Sequence, residues 1–143
     1  FAGDETANPA YVSTLRHLAD ARVVFLGRLT RTEIWQALAA ADAVVVPSLW
    51  HETFCFAAHE ALTAGAPVLA SAMGALTDAI RDGVDGLLLA PGDVEVWRAA
   101  LQSLVDAPAR LATLRAGIVA PRRLTEHVDQ IEAIYHEILA GVT

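Results

Sequence analysis

Two glutamates with seven residues between them stand out in the stretch Pro47-Ser48-Leu49-Trp50-His51-Glu52-Thr53-Phe54-Cys55-Phe56-Ala57-Ala58-His59-Glu60-Ala61. The spacing predicts one carboxylate just before a helix and the other about two turns into it. At such a helix start the amides of Thr53, Phe54, Cys55 and Phe56 lack intrahelical acceptors and lie at the positive end of the dipole, an arrangement that attracts an anion. With a diphosphate there, Glu60 lies roughly 9 Å along the axis, within reach of a ribose behind it. A carboxylate accepts from both hydroxyls of a vicinal diol better than any neutral side chain. Glu52, on the loop, faces the other end of the ligand. Hydroxyls at both ends with phosphates between is the shape of a nucleotide-sugar.

The same spacing arises in proteins where both carboxylates are merely solvated. Glu60, however, is flanked by Ala57, Ala58, Ala61 and Leu62, an apolar boundary where an unpaired carboxylate is costly. His51 is placed to touch a donor from the loop. His59 also flanks the acidic pair, while His17, His127 and His136 lie on expected helices at no ligand spacing, and no metal site is expected. Asp82-Gly83-Val84-Asp85-Gly86 lacks the alternation and terminal Glu of an EF-hand and reads as a tight turn. Trp35 and Trp97 read as packing residues, while Trp50 sits in the loop of interest. Cys55 has no His-Asn partner that would make it a nucleophile.

The elements that position this loop alternate short apolar runs with stretches of helical periodicity, the pattern of parallel strands joined by crossover helices. Strands are expected over Arg22 to Gly27, where a buried one is read, and over Ala43 to Val46, Pro67 to Ala70 and Leu87 to Leu89. Helices are expected at about Pro9 to Ala19, Thr32 to Ala40, Phe54 to Ala64, Ala75 to Arg81, from Asp93 onward, at Ala109 to Ala116 and at Leu124 to Ala140. The fold class is α/β, a Rossmann-like doubly wound parallel sheet, in which ligands bind beyond the carboxyl ends of the strands. The loops after Gly27, Val46, Ala70 and Leu89 are therefore the candidates. The last helix carries an apolar stripe that can seal this domain or brace another.

At 143 residues the chain has the length of one domain, and a single compact unit is the expectation. Hydrophobic residues make up 55% against 19% charged, which excludes a disordered chain. A net charge of −7 with no basic stripe excludes a nucleic-acid partner. All ten basic residues are Arg, so any step that needs a Lys ammonium is supplied from outside this chain. One cysteine cannot form an internal disulfide, and a cytoplasmic location is expected. No run reaches the roughly 18 apolar residues of a transmembrane segment. The start, Phe1-Ala2-Gly3-Asp4, reads as the end of a strand running into a turn, so a fragment of a longer protein is expected.

From Val23 to Asp93 the chain resembles the donor-binding, C-terminal half of GT-B glycosyltransferases of family 4. The matching pieces are Val24-Phe25-Leu26-Gly27, Ala41-Asp42-Ala43, Val46-Pro47-Ser48, the Glu52 and Glu60 pair, Ala64-Gly65-Ala66-Pro67-Val68, Gly83-Val84-Asp85-Gly86-Leu87-Leu88 and Pro91-Gly92-Asp93. The resemblance implies that Glu60 holds the donor ribose and that Glu52, with the amides of Thr53, Phe54 and Cys55, binds the transferred sugar. It implies that Arg28 and Leu29 border the nucleobase. It further implies transfer with retention and without a divalent metal or other cofactor, a nucleotide-sugar donor, an acceptor of unknown chemistry, and an N-terminal acceptor domain that this chain lacks.

Thr53 and Cys55 stand where the family has the two glycines of Glu-Gly-Phe-Gly, which reduces backbone freedom and puts sugar specificity in question. Gly74-Ala75 replaces a Gly-Gly pair, and Asp78 lies near a family Glu. The family's phosphate-binding Arg and Lys fall upstream of Phe1, so the lone domain is expected to bind donor weakly and not to turn over. Two other functions remain open: a nucleotide-sugar epimerase of the same superfold, and a non-catalytic sugar-nucleotide-binding module. A phosphoacceptor signalling domain fails, because no cluster of Asp ends the early strands.

Overall fold

Two helices open the chain, each started by a side-chain cap. Asn8 Oδ1 accepts from the Tyr11 amide at 3.2 Å ahead of Pro9–Leu18 (α1), where Pro9 occupies a position that needs no amide. Thr30 and Glu33 form a reciprocal capping box ahead of Arg31–Ala40 (α2): the Glu33 carboxylate accepts from the Thr30 amide at 2.7 Å, and the Thr30 hydroxyl accepts from the Glu33 amide. The Thr30 hydroxyl, which also donates to Glu33, holds that carboxyl below its usual range. This computed structural model describes residues 1–119 and 123–141. They fall into two compact units, Phe1–Ala41 and Asp42–Thr143.

In the first unit the segment expected as a buried strand, 22–27, is neither buried nor a regular strand. Val24 and Leu26 are exposed while Val23 and Phe25 are half-buried. The Phe1 ammonium donates to the Val24 carbonyl at 2.7 Å and the Leu26 amide to the Phe1 carbonyl at 2.7 Å, which begins a parallel ladder. The Gly3 amide then bonds the carbonyl of Gly27 instead of Leu26. Gly27, at φ +66°, turns the chain out of extended geometry and breaks the ladder after one step. Phe25 is held between the Phe1 ring, 5.4 Å away, and the Arg16 guanidinium, 4.4 Å above it.

The second unit is built on three parallel strands in the order β1 (Val44–Val46), β2 (Val68–Ser71), β3 (Gly86–Leu89). Val44 pairs with Val68 and Val68 with Gly86. Alternation then sends Val46, Val68 and Ala70 to one face and Leu69, Ser71, Leu87 and Leu89 to the other. Phe56–Thr63 (α3) covers the first face, burying Ala58, Ala61 and Leu62, and the short Leu76–Ala79 (α4) follows β2. A Cβ on Gly86 would collide with the Val68 carbonyl and the Ile80 side chain, so only glycine lets the chain pass there.

The opposite face is covered by Val94–Asp106 (α5) and Pro108–Gly117 (α6), whose Leu104 and Leu114 join Leu69, Leu87 and Leu89 in one buried cluster. Trp97 packs against that cluster and donates its indole N–H to the Ala90 carbonyl at 3.0 Å. Helices on both faces leave β2 wholly buried, the doubly wound architecture expected from the sequence. Leu124–Ala140 (α7) follows, with Val128, Ile131, Ile134 and Ile138 exposed.

The Asp82–Gly86 segment is a tight turn, as its composition indicates. Asp85, buried, accepts from the Arg81 amide at 2.8 Å and the Arg81 Nε at 2.7 Å, and Arg81 also donates to the Gly117 carbonyl. Among the described residues no three His, Cys, Asp or Glu side chains come together as a metal site, and no helix is long and apolar enough to cross a membrane.

Candidate functional site

β1 ends at Val46, and Pro47, which cannot donate to a ladder, releases the chain into a loop beyond the carboxyl edge of the sheet. Ser48 is buried directly after it and donates its hydroxyl to Glu52 Oε1 at 2.8 Å. Trp50 and His51 point into solvent while Glu52 is half-buried.

A second loop, after β2, meets the first from the neighbouring strand. The Ala75 amide donates to the Glu52 carbonyl at 2.9 Å, and Gly74, at φ +57°, lies against the Glu52 peptide. Two loops at the ends of adjacent parallel strands thus fix one glutamate by its side chain and by its backbone. Ser48 and Gly74 carry no site role in the sequence, where one belongs to the Val46-Pro47-Ser48 piece of the resemblance and the other to the Gly74-Ala75 pair; the rule that ligands bind beyond the carboxyl ends of the strands is the signal that joins their loops.

Cys55 takes φ +60°, ψ +76°, and is the one described non-glycine residue with positive φ. The family resemblance puts a glycine here, and the backbone keeps the glycine conformation. The left-handed turn delays the helix: α3 begins at Phe56 instead of Phe54, with Cys55 as its N-cap. Glu60 consequently lies about one turn into the helix, not two, and about 6 Å along the axis from Phe56. Among the described residues no acceptor takes the amides of Thr53, Phe54, Cys55, Phe56 or Ala57, whereas Ala58 and His59 bond back to the Cys55 carbonyl. Five consecutive N–H groups at the positive end of a helix make a local anion-attracting turn on a chain of net charge −7.

Glu60 is on the side of α3 away from Ala58, Ala61 and Leu62, and is half-buried. It lines a cavity of about 710 Å³ together with Phe54, Phe56, His59 and Asp78, a volume within the range of small-molecule sites. The Phe54 ring is stacked on the His59 imidazole at 4.1 Å and meets Phe56 edge-on at 5.0 Å, so the wall beside Glu60 is aromatic. Glu60 and Phe54 therefore share one cavity. Glu52, Thr53, Cys55 and His51 are not among its lining residues and stand at the loop end of the same turn. Arg28 and Leu29 belong to the first unit, where Arg28 is exposed with its guanidinium 3.7 Å from Asp4.

Known proteins match this chain. The profile of the family Glycosyl transferases group 1 matches residues 1–117. The chain is similar to D-inositol 3-phosphate glycosyltransferase of Mycolicibacterium paratuberculosis, 41% identical over 138 residues, covering 90% of this chain and 31% of that protein. It is also similar to glycogen synthase of Mycobacterium tuberculosis, 41% identical over 105 residues, covering 73% of this chain and 25% of that protein.

Among solved structures, Anabaena Alr3699/HepE in complex with UDP and glucose superposes with a TM-score of 0.74 at 28% identity, over 82% of this chain and 33% of that one. A glycosyltransferase from Rickettsia africae superposes with a TM-score of 0.81 over 96% of this chain and 39% of that one, a likeness of fold alone at 17% identity. The chain spans about a third or less of the length of the curated relatives named here.

Proposed function

The chain belongs to the group 1 glycosyl transferases, and on that premise we propose that it is the donor-binding half of a glycosyltransferase that takes a nucleoside diphosphate sugar, transfers the sugar with retention, and uses no divalent metal. The observation that carries the reading is the row of five amides from Thr53 to Ala57 without acceptors among the described residues, entering α3 beside Glu60. Developing charge on a departing diphosphate is stabilised by such preorganised donors and by the helix dipole.

Glu60 is assigned to the ribose hydroxyls, with the diphosphate over the turn. Glu52 is assigned to the transferred sugar, with the amides of Thr53, Phe54 and Cys55 and with His51 alongside. Arg28 and Leu29 are assigned to the nucleobase. The Anabaena neighbour is described with bound UDP and with UDP-glucose, which makes these the first probes. An acceptor domain completing the site, and a cytoplasmic location, belong to the same proposal.

Isothermal titration of the full-length protein, acceptor domain included, with UDP and UDP-glucose tests it, and transfer is followed in the same protein. Glu60→Ala is expected to weaken UDP about tenfold or more, the loss of a charge-assisted pair of hydrogen bonds. Glu52→Ala is expected to leave UDP within twofold and to reduce transfer. Equal UDP affinity in the wild type and the Glu60 variant rejects the ribose assignment. Retention is read from the anomeric configuration of the product, and metal independence from unchanged turnover in excess chelator.

A further inference from the structure

We propose that Ser48 is a positioning residue: its hydroxyl sets the Glu52 side chain so that Oε2 is presented to the transferred sugar. The inference rests on the assignment of Glu52 to that sugar. Ser48 is only 6% exposed, and its Oγ lies 2.8 Å from Glu52 Oε1.

A glutamate on a loop has three side-chain torsions, and ordering them costs conformational entropy that a ligand must otherwise supply. In this loop the backbone of Glu52 is already fixed by the Ala75 amide on its carbonyl and by the Gly74 backbone against its peptide. Only the side-chain torsions remain, and Ser48 restrains them from four residues upstream on the same loop. The direction of the bond matters. A serine hydroxyl has one proton, and here it is directed at Oε1; among the described residues no donor reaches Oε2, which keeps its acceptor capacity toward sugar hydroxyls. Burial of Ser48 makes the bond hard to exchange, because a hydroxyl out of water that loses its acceptor has no substitute.

A purely structural serine would change the stability of the loop and leave ligand discrimination alone. The test is a double-mutant cycle in the full-length protein with Ser48→Ala, Glu52→Gln and the double variant, each titrated calorimetrically with UDP, GDP and ADP and with the hexoses of each, with Tm recorded in parallel. Ser48→Ala is expected to leave UDP affinity within twofold while reducing the extra affinity that the hexosyl group confers by about three- to tenfold, the effect of one hydrogen bond. Ser48→Thr, which keeps the hydroxyl, is expected to restore it. On the Glu52→Gln background, Ser48→Ala is expected to add no further loss. Should Ser48→Ala fail to fold, Ser48→Cys fills the same space with a weak donor and is expected to show the same selective loss.

Additive losses, or an intact hexosyl increment in Ser48→Ala or Ser48→Cys where Glu52→Gln abolishes it, overturn the role of Ser48 and leave the assignment of Glu52 standing. An increment untouched by Glu52→Gln, or no increment with any sugar of the panel, rejects the Glu52 assignment and this inference with it.

Discussion

Gly74 lies directly against the peptide of Glu52: a Cβ at Gly74 would stand 2.8 Å from the Glu52 carbonyl oxygen and 2.9 Å from its amide nitrogen. Both obstructing atoms are backbone, so neither can swing aside, and the φ of +57° adds strain for any residue with a side chain.

Gly74→Ala is accordingly expected to cost about 2 to 3 kcal/mol and to displace Glu52, lowering affinity for a sugar nucleotide more than for the bare nucleoside diphosphate. Chemical denaturation gives the first quantity and calorimetry the second. A variant as stable as the wild type contradicts the close packing of the two loops.

Cys55 offers a sign test of its left-handed backbone. Cys55→Gly and Cys55→Ala remove the same buried sulfur, so their difference isolates φ +60°. Inside a helix alanine is the more stable of the two, but here the glycine variant is expected to exceed the alanine variant by about 1 kcal/mol, measured as the difference in denaturation midpoints. Alanine winning would mean that Cys55 is an ordinary helical residue.

Asp85 accepts from both the backbone and the guanidinium of Arg81 while remaining 4% exposed. Removing it leaves a backbone amide and a half-exposed Arg without their acceptor, and Asp85→Ala is expected to cost about 2 kcal/mol. Asp85→Asn, whose carbonyl still accepts from the Arg81 amide, is expected to cost less. Equal losses in the two variants would argue that the charge, and not the turn hydrogen bond, is what matters.

Asp20, in the first unit, has its carboxyl pulled from 3.8 down to about 2, first by the side-chain hydrogen bonds from Arg22 and then by the Arg22 amide. For a depressed carboxyl the interaction is fully present above the unfolded value near 3.8 and fades as pH falls through about 2. Arg22→Ala keeps the amide and loses the guanidinium, so an NMR titration is expected to find Asp20 moved upward, part of the way to 3.8. A value still near 2 would assign the whole effect to the amide.

Most of the strands and helices were legible because their signals are local. Val44–Val46 is a β-branched run closed by a proline, Asp93 caps α5 by accepting from the Val96 amide at 3.1 Å, and α7 spans Leu124 to Ala140 as its periodicity indicates. The segment 22–27 departs from this pattern because strand formation there depends on a distant neighbour. Apolar content predicts burial, but a strand also needs a neighbour in register, and Gly27 shifts the only described pairing after one step.

Local signals in the chain specify the alternation of strands and helices and the two glutamates near the mouth of one helix, because periodicity, caps and turn residues act within a few positions of one another. The structure alone decided what Glu52 touches. Ser48 is four residues away in the chain, and that contact could be imagined; Gly74 and Ala75 are more than twenty residues away, and they reach Glu52 because β1 and β2 lie side by side in parallel and end at the same edge. It also decided where α3 begins, since the left-handed turn at Cys55 is imposed by the path between two fixed elements against the preference of the residue itself.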